Sequence, residues 1–269
     1  MGGFAPRPLG RTGKLVGPLG LAASFGVAEA GVEHAWERGV RYFYWGSFRR
    51  AGFGRGLRRV LAKGRDQAVV VIQSYTRIAM LMGLSLRSAL RRLDTPYADV
   101  LLLGWWNAPP PPRILDAAKR LRDAGLVRHI ALSTHERPLV PTLDPRDYEV
   151  VHVRYNACHR GAEKEIFPHL RLPTERPGIV AFTATRWGHL LTRPSTLDAS
   201  VPVPTAGDCY RFCLSASPVD VVLCGARSEQ DVKDALDRVA KGPMDPDELA
   251  WMHEVGDALR ASVTKLRDR

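Results

Sequence analysis

Strand-like and helix-like segments alternate along almost the whole of this 269-residue chain. VRYFYWG (40–46), AVVVIQSY (68–75), ADVLLLGWW (98–106), VRHIALST (127–134), YEVVHVRYN (148–156), GIVAFTAT (178–185) and VDVVLCG (219–225) are β-branched, aromatic or continuous apolar runs. LVGPLGLAAS (15–24) reads as a first, Gly-broken strand. Apolar runs without polar alternation are what strands buried on both faces require. Between them, residues 29–38, 55–63, 84–93, 114–125, 163–170 and 228–240 have helical character. This order predicts a parallel α/β sheet. Strand ends recur about every 30 residues, the spacing that eight units in about 250 residues need. The expected fold is one (β/α)8 TIM barrel over residues 1–269. A doubly wound sheet is the alternative, but no strand is followed by the G-x-G-x-x-G turn that would support it.

Composition narrows the setting. No run of about 18 apolar residues occurs, so no membrane-spanning helix is expected. The opening MGGFAPRPLGRTGK lacks the apolar stretch of a secretory signal. Cys158, Cys209, Cys213 and Cys224 are too few for a disulfide framework in a chain this long, which suits a reduced cytoplasmic setting. Cys209 and Cys213 lack a second ligand pair, so no metal site is expected. Adjacency does not make Cys158 and His159 a nucleophile–base pair. Asp99 reads as structural. The formal charge of +11 raises nucleic acid as a partner. Its basic residues lie beside apolar helical stripes, as in GRGLRRVLAKGR and LRSALRRL, which predicts a solvated basic surface and no nucleic-acid partner. That field bears on anionic ligands and solubility.

Barrel enzymes place their chemistry at the C-terminal strand ends. Here those ends carry Tyr44-Trp45-Gly46, Gln73-Ser74-Tyr75, Gly104-Trp105-Trp106, Ser133-Thr134-His135, His152 to Asn156, Phe182 to Trp187 and Gly225-Ala226-Arg227. A mouth rich in Trp and Tyr suits a flat or conjugated small-molecule substrate, held by stacking and burial. The competing reading is that these aromatics pack beneath the loops.

Several ordered segments resemble the aldo-keto reductases. RPLGRTGKLVGPLGL resembles that family's N-terminal hairpin and first strand, and SLRSALRRLDTPYADVLLL the segment before its catalytic His. DAGLVRHIALST, VRYNACHRGAEKEIFPHL and VDVVLCGARSEQDVKDAL resemble its fifth-strand, sixth-strand and last-strand regions. The resemblance spans about residues 7–240. It implies an aldo-keto reductase-like barrel with an N-terminal hairpin and a C-terminal helix, about 247–266. It also implies NADP(H), with phosphates at Gly225-Ala226-Arg227-Ser228. A strand-to-helix turn there offers backbone N–H groups and a dipole, and Arg227 offers a bidentate guanidinium. Gln230 falls where the family contacts adenine or its ribose. Phe182 stands for the residue stacked on the nicotinamide, and Ser133 for a carboxamide ligand. That ligand's Asn partner is Thr134 here, and its Gln partner is His152.

The catalytic positions depart from the family. Its D-T-A-x-x-Y-G segment aligns on residues 44–50, so Asp becomes Tyr44 and Tyr becomes Arg49. Its Lys becomes Tyr75, and its His becomes Gly104, which leaves space and carries no donor. General acid catalysis contributes about 10²–10⁴-fold, so another acid must serve or the reaction differs. Tyr75 and Tyr44 are candidates, with Arg49 or Arg186 as the cation a phenol needs. His135 is the group that titrates nearest neutrality. Trp45, Gly104, Trp105, Trp106 and Trp187 are the expected substrate walls.

The leading expectation is an NADP(H)-binding oxidoreductase with a rearranged active site. A non-redox barrel enzyme (isomerase, lyase or cyclase) and a non-catalytic ligand-binding pseudoenzyme are the alternatives. NADPH binding separates the first from the others. The substrate and the oligomeric state are not legible.

Overall fold

Eight parallel strands close into a barrel in a computed structural model that describes residues 3–46 and 49–267, with side chains through residue 262. A hairpin, β1 (Arg7–Pro8) and β2 (Leu15–Val16), precedes the barrel. The barrel strands are β3 (Leu19–Ala22), β4 (Tyr42–Trp45), β5 (Val69–Ser74), β6 (Ala98–Leu103), β7 (Val127–Thr134), β8 (Val150–Arg154), β9 (Gly178–Phe182) and β10 (Val221–Cys224). Each pairs with the next, and β10 returns to β3 through Val222↔Leu19 to Cys224↔Leu21. The helices are α1 (Glu29–Glu37), α2 (Ala51–Gly64), α3 (Ala79–Leu93), α4 (Pro112–Asp123), α5 (Ala162–Glu165), α6 (Ala206–Ser215), α7 (Glu229–Val239) and α8 (Pro246–Arg267). Among the described residues no helix is long and apolar enough to cross a membrane.

The continuous apolar strands follow from two cores. Residues pointing inward, such as Tyr42, Val71, Leu102, Ala131, Val180 and Leu223, fill the barrel. Residues pointing outward, such as Phe43, Ile72, Leu101, Ile130 and Ile179, join the larger layer beneath the helices. The hairpin closes the bottom. Leu9 and Val16 complete the inner cluster, and Arg11 donates its backbone N–H to the Arg176 carbonyl at 3.0 Å. Gly10 has φ +50°, and a β-carbon there would overlap the backbone of Gly178, so only glycine fits this approach.

Two segments differ from the expected elements, and the C-terminal helix forms where it was expected. Residues 15–24 divide at Gly17-Pro18 into β2 and β3, because proline lacks the N–H a strand interior must donate. Residues 206–215 form a helix that periodicity does not reveal, since Gly207 through Leu214 are all buried and no polar face marks the turn. Its signal is Thr205-x-x-Asp208, a capping box in which each side chain accepts from the other's backbone N–H. The C-terminal helix lies against the loop after β8, away from the barrel bottom, with Arg160 bound to Asp257 and Gly256 against the Ala157 carbonyl.

Two buried carboxylates pin the strand starts. Asp99 accepts the Val70 N–H at 2.9 Å and pairs with Arg65 at 2.8 Å, consistent with a structural role. Asp220 takes a bidentate pair of bonds from Arg176, both at 2.8 Å, and the Ile179 N–H at 2.8 Å. Arg176 is 4% exposed and Asp220 2%. Removing one member of a buried pair strands the other, at about 3–5 kcal/mol. Asp220→Ala should therefore lower unfolding free energy by about that amount. A urea midpoint within error of wild type would show that the pair does not hold the closure.

Candidate active site

An elongated cleft of about 1280 Å³ runs from the C-terminal mouth of the barrel to the start of α7. Tyr44, Gln73, Ser133, His152 and Phe182 line its inner end, Tyr75, Trp105, His135 and Trp187 its rim, and Gly225 to Ser228 its outer part. Alternation along each strand explains the inner set. Val69, Val71 and Gln73 share one face of β5, as Val150, His152 and Arg154 share one face of β8.

The floor is a buried polar pair. Tyr42 Oη and His152 Nε2 lie 2.7 Å apart, and the Tyr44 ring sits 5.9 Å from the imidazole. Complete burial pushes the His152 pKa down to about 3, so the ring is neutral. One of its nitrogens is committed to Tyr42, which leaves Nδ1 as the atom that a carboxamide could meet.

The space expected above Gly104 is filled. A β-carbon at Gly104 would overlap Gln73 Nε2 and lie 2.9 Å from the Tyr75 ring. The Gln73 amide thus occupies the start of the path that a residue-104 side chain would take. Its Oε1 is buried without a hydrogen-bond partner among the described residues. Gln73 is a site residue that sequence reasoning overlooked. Its signal was the one polar side chain in an otherwise apolar inward face.

Other expected residues are relocated. Arg49 does not line the cleft; it bonds the Ser85 carbonyl at 3.0 Å, Ser85 Oγ at 2.9 Å and the Gln73 carbonyl at 3.3 Å. It ties the end of β5 to α3. Ser47 and Phe48, in the same aligned segment, lie outside the described residues. Trp45 is 1% exposed and packs in the outer layer, its indole N–H donated to the Arg50 carbonyl at 3.2 Å. Trp106 also packs outward, with the Arg77 guanidinium 3.7 Å from its ring centre. An outward strand position accounts for Trp45, since Tyr44 takes the inward one. Trp105 and Trp187 do reach the rim, at 62% and 59% exposure.

His135 is the polar centre of the mouth. Its ring stands edge-on between Trp105 at 6.4 Å and Phe182 at 5.7 Å. Nδ1 is buried without a partner among the described residues. Burial, and then the charge of Arg154, lower its pKa, so it is neutral near pH 7.

The outer end is built around the α7 start. Ser228 Oγ accepts the Asp231 N–H at 3.1 Å, and Asp231 accepts the Arg227 N–H at 2.8 Å. Two donors expected to be free for phosphate are therefore engaged within the chain. The Arg227 side chain is exposed beside the cleft, and Lys241 lies further along it. Gln230 turns away and donates to Asp234 at 2.8 Å. Asp231, Asp234 and Arg238 line the groove instead.

Backbone strain gathers at this mouth. Trp105, Thr183, Arg186 and Trp187 all have left-handed φ between +50° and +59°. Such conformations cost roughly 1–3 kcal/mol each and persist where surrounding structure enforces them, often at ligand sites. Asn156 supplies part of that enforcement, donating to the Thr183 carbonyl at 2.9 Å.

The neutral His152 predicts a pH effect. On unfolding it regains an ordinary pKa near 6.5. The unfolded state therefore binds the extra proton between about pH 6.5 and 3, and stability falls as pH drops through that window. His152→Gln should lessen the slope by about one proton, or about 1.4 kcal/mol per pH unit. Denaturant midpoints from pH 7 to 4 that fall in parallel for both proteins would contradict a neutral buried His152.

Comparison with known proteins gives a consistent picture. The model of the aldo/keto reductase family matches residues 59–201. No curated protein matches the chain. Among solved structures, the holo form of an aldo-keto reductase from Bacillus halodurans is similar, at 19% identity and TM-score 0.76, covering 93% of this chain and 95% of that one. Its apo form gives a TM-score of 0.74 at the same identity and coverage. An aldo/keto reductase from Klebsiella pneumoniae, in complex with NADP and acetate, gives 18% identity and TM-score 0.73, covering 93% and 94%.

Proposed function

Because this chain belongs to the aldo/keto reductase family, we propose that it is an NADP(H)-dependent oxidoreductase acting on a flat, conjugated carbonyl compound through a rearranged set of polar groups. The observation that carries this reading is one continuous cleft. It joins an aromatic mouth bearing orphaned polar atoms to a distant, cation-bearing helix start. That length suits a dinucleotide, and the similar Klebsiella protein holds NADP.

The residues present fit the cofactor. Phe182 offers a ring face to the nicotinamide, with Ser133 and His152 Nδ1 toward its carboxamide. Arg227 offers its guanidinium to the adenosine phosphate. Bound there, the nicotinamide supplies the hydride.

The chain's own groups then divide the remaining work. The Gln73 amide takes the hydrogen-bonding role that Gly104 cannot perform, donating from Nε2 toward a substrate oxygen. Trp105 and Trp187 flank the substrate and exclude water. The proton comes from a phenol, Tyr75 at the rim or Tyr44 on the inner wall, and the neutral His135 contributes a hydrogen bond. Arg49 acts only through Gln73 and Ser85, as a positioning residue. The side-chain replacements at positions 44, 49, 75 and 104 make this mouth a poor match for simple aldehydes.

NADPH should quench tryptophan fluorescence and bind more tightly than NADH. Arg227→Ala should weaken NADPH about ten-fold, the worth of one hydrogen bond to a charged group, and leave NADH unchanged. Absence of binding by either nucleotide below millimolar concentration would overturn the cofactor assignment. NADPH-dependent turnover of 4-nitrobenzaldehyde should be slight, and robust turnover would show that the replaced positions do not limit the chemistry.

A further inference from the structure

A second polar cluster lies beside the mouth, on the ends of β8 and β9. Arg154 follows Val150 and His152 on the inward face of β8, and its backbone is in register with Phe182. Arg186 follows β9 and is held there in a left-handed backbone, φ +50°. Their Nε atoms are both buried and without a hydrogen-bond partner among the described residues. Other cations crowd them. Arg137, over the bare backbone of Gly161, is already neutralised by Glu165 at 2.9 Å. His159 is pushed down to about 4, by burial first and then by Arg154 and Arg186. The Arg154 pKa is lowered by burial first and then by Arg137 and Arg186, against weaker attraction from Cys158 and Glu136.

Two guanidinium groups within each other's field, neither ion-paired to a carboxylate among the described residues, raise the free energy of the empty site. Planar oxyanions relieve that cost through forked, charge-assisted hydrogen bonds. The location specifies what the anion belongs to. Phe182 is the ring that stands edge-on to His135 at 5.7 Å. Arg154 is one strand spacing away, about 5 Å. The cleft lining includes Thr185 and Trp187 but neither Arg154 nor Arg186; the pair lies beside the mouth, where the charge of Arg154 is felt by His135.

We propose that Arg154 and Arg186 form a carboxylate-binding subsite, and that the substrate is a carbonyl compound carrying a carboxylate about one benzene ring from its reacting carbon. This rests on the oxidoreductase reading above. The carboxylate is a spectator: reduction adds a hydride to the carbonyl carbon and a proton to its oxygen, with NADPH oxidised to NADP⁺.

The experiment compares 4-formylbenzoate with methyl 4-formylbenzoate, by calorimetry on the full chain with NADP⁺ present and by NADPH oxidation. The acid should bind at least about ten-fold more tightly than the ester, a preference that shrinks as salt is raised. Arg154→Gln and Arg186→Gln should each remove most of that preference while leaving NADPH affinity unchanged, and Arg154→Lys should restore part of it. Where a variant does not fold, the salt dependence on wild type still decides. Equal binding of acid and ester overturns the subsite. Variants that weaken NADPH instead of the acid overturn it too, by assigning the arginines to the cofactor's phosphates. Tight acid binding without turnover leaves the subsite standing and contradicts only the redox reading.

Discussion

An eight-stranded barrel encloses an interior only wide enough for side chains to fill, and that constraint governs the rest of this molecule. Each inward residue must be matched by what faces it across the axis. Tyr42 and His152 meet this demand with a 2.7 Å hydrogen bond in an apolar surround. The pair supports Tyr44 above it, and Tyr44 in turn forms the inner wall of the cleft. Below, the same demand is met by the hairpin, whose Leu9 and Val16 complete the packing. The floor that carries the site and the plug that closes the bottom are two ends of one filled column.

The inner end of the cleft is braced by local contacts. Gln73 occupies the space beside Gly104, and Arg49 bonds the Gln73 carbonyl and Ser85. Arg49 thereby anchors the end of β5, and the Gln73 it carries, to α3. In and beside the mouth, Gln73, His135, Arg154 and Arg186 each keep a polar atom without a partner among the described residues. Buried polar atoms without partners cost roughly 1–3 kcal/mol each. Two of them in the cleft and two beside it, with four left-handed residues, indicate a surface arranged for a ligand at some expense in stability.

The barrel was legible in the chain because strands buried on both sides leave apolar runs that hardly depend on neighbours. The site was legible only in outline. Tyr44, Tyr75, Ser133, His135, His152, Phe182 and Arg227 were brought to one cleft by strand ends and a helix start. Trp45 and Trp106 were misplaced because a one-residue change of phase turns a strand side chain from the mouth into the outer layer. Gln230 falls outside the cleft lining because its amide is taken up by Asp234. Gln73 over Gly104 could not be read at all, since it depends on how β5 and β6 lie together. The arginine pair was hidden likewise: residues 154 and 186 are far apart in sequence and meet only after β8 and β9 are paired.

Label transfer addresses hydride chemistry at this mouth without relying on any one side chain. The protein is incubated with 4-formylbenzoate and NADPH stereospecifically deuterated at C4, each face in turn, and the alcohol is examined by mass spectrometry. Deuterium from one face only, placed on the former carbonyl carbon, is the expected result, because the cleft fixes which face of the ring meets the substrate. Bound NADPH with no label in the product, or label from both faces equally, would contradict an oxidoreductase with an ordered cofactor in this cleft.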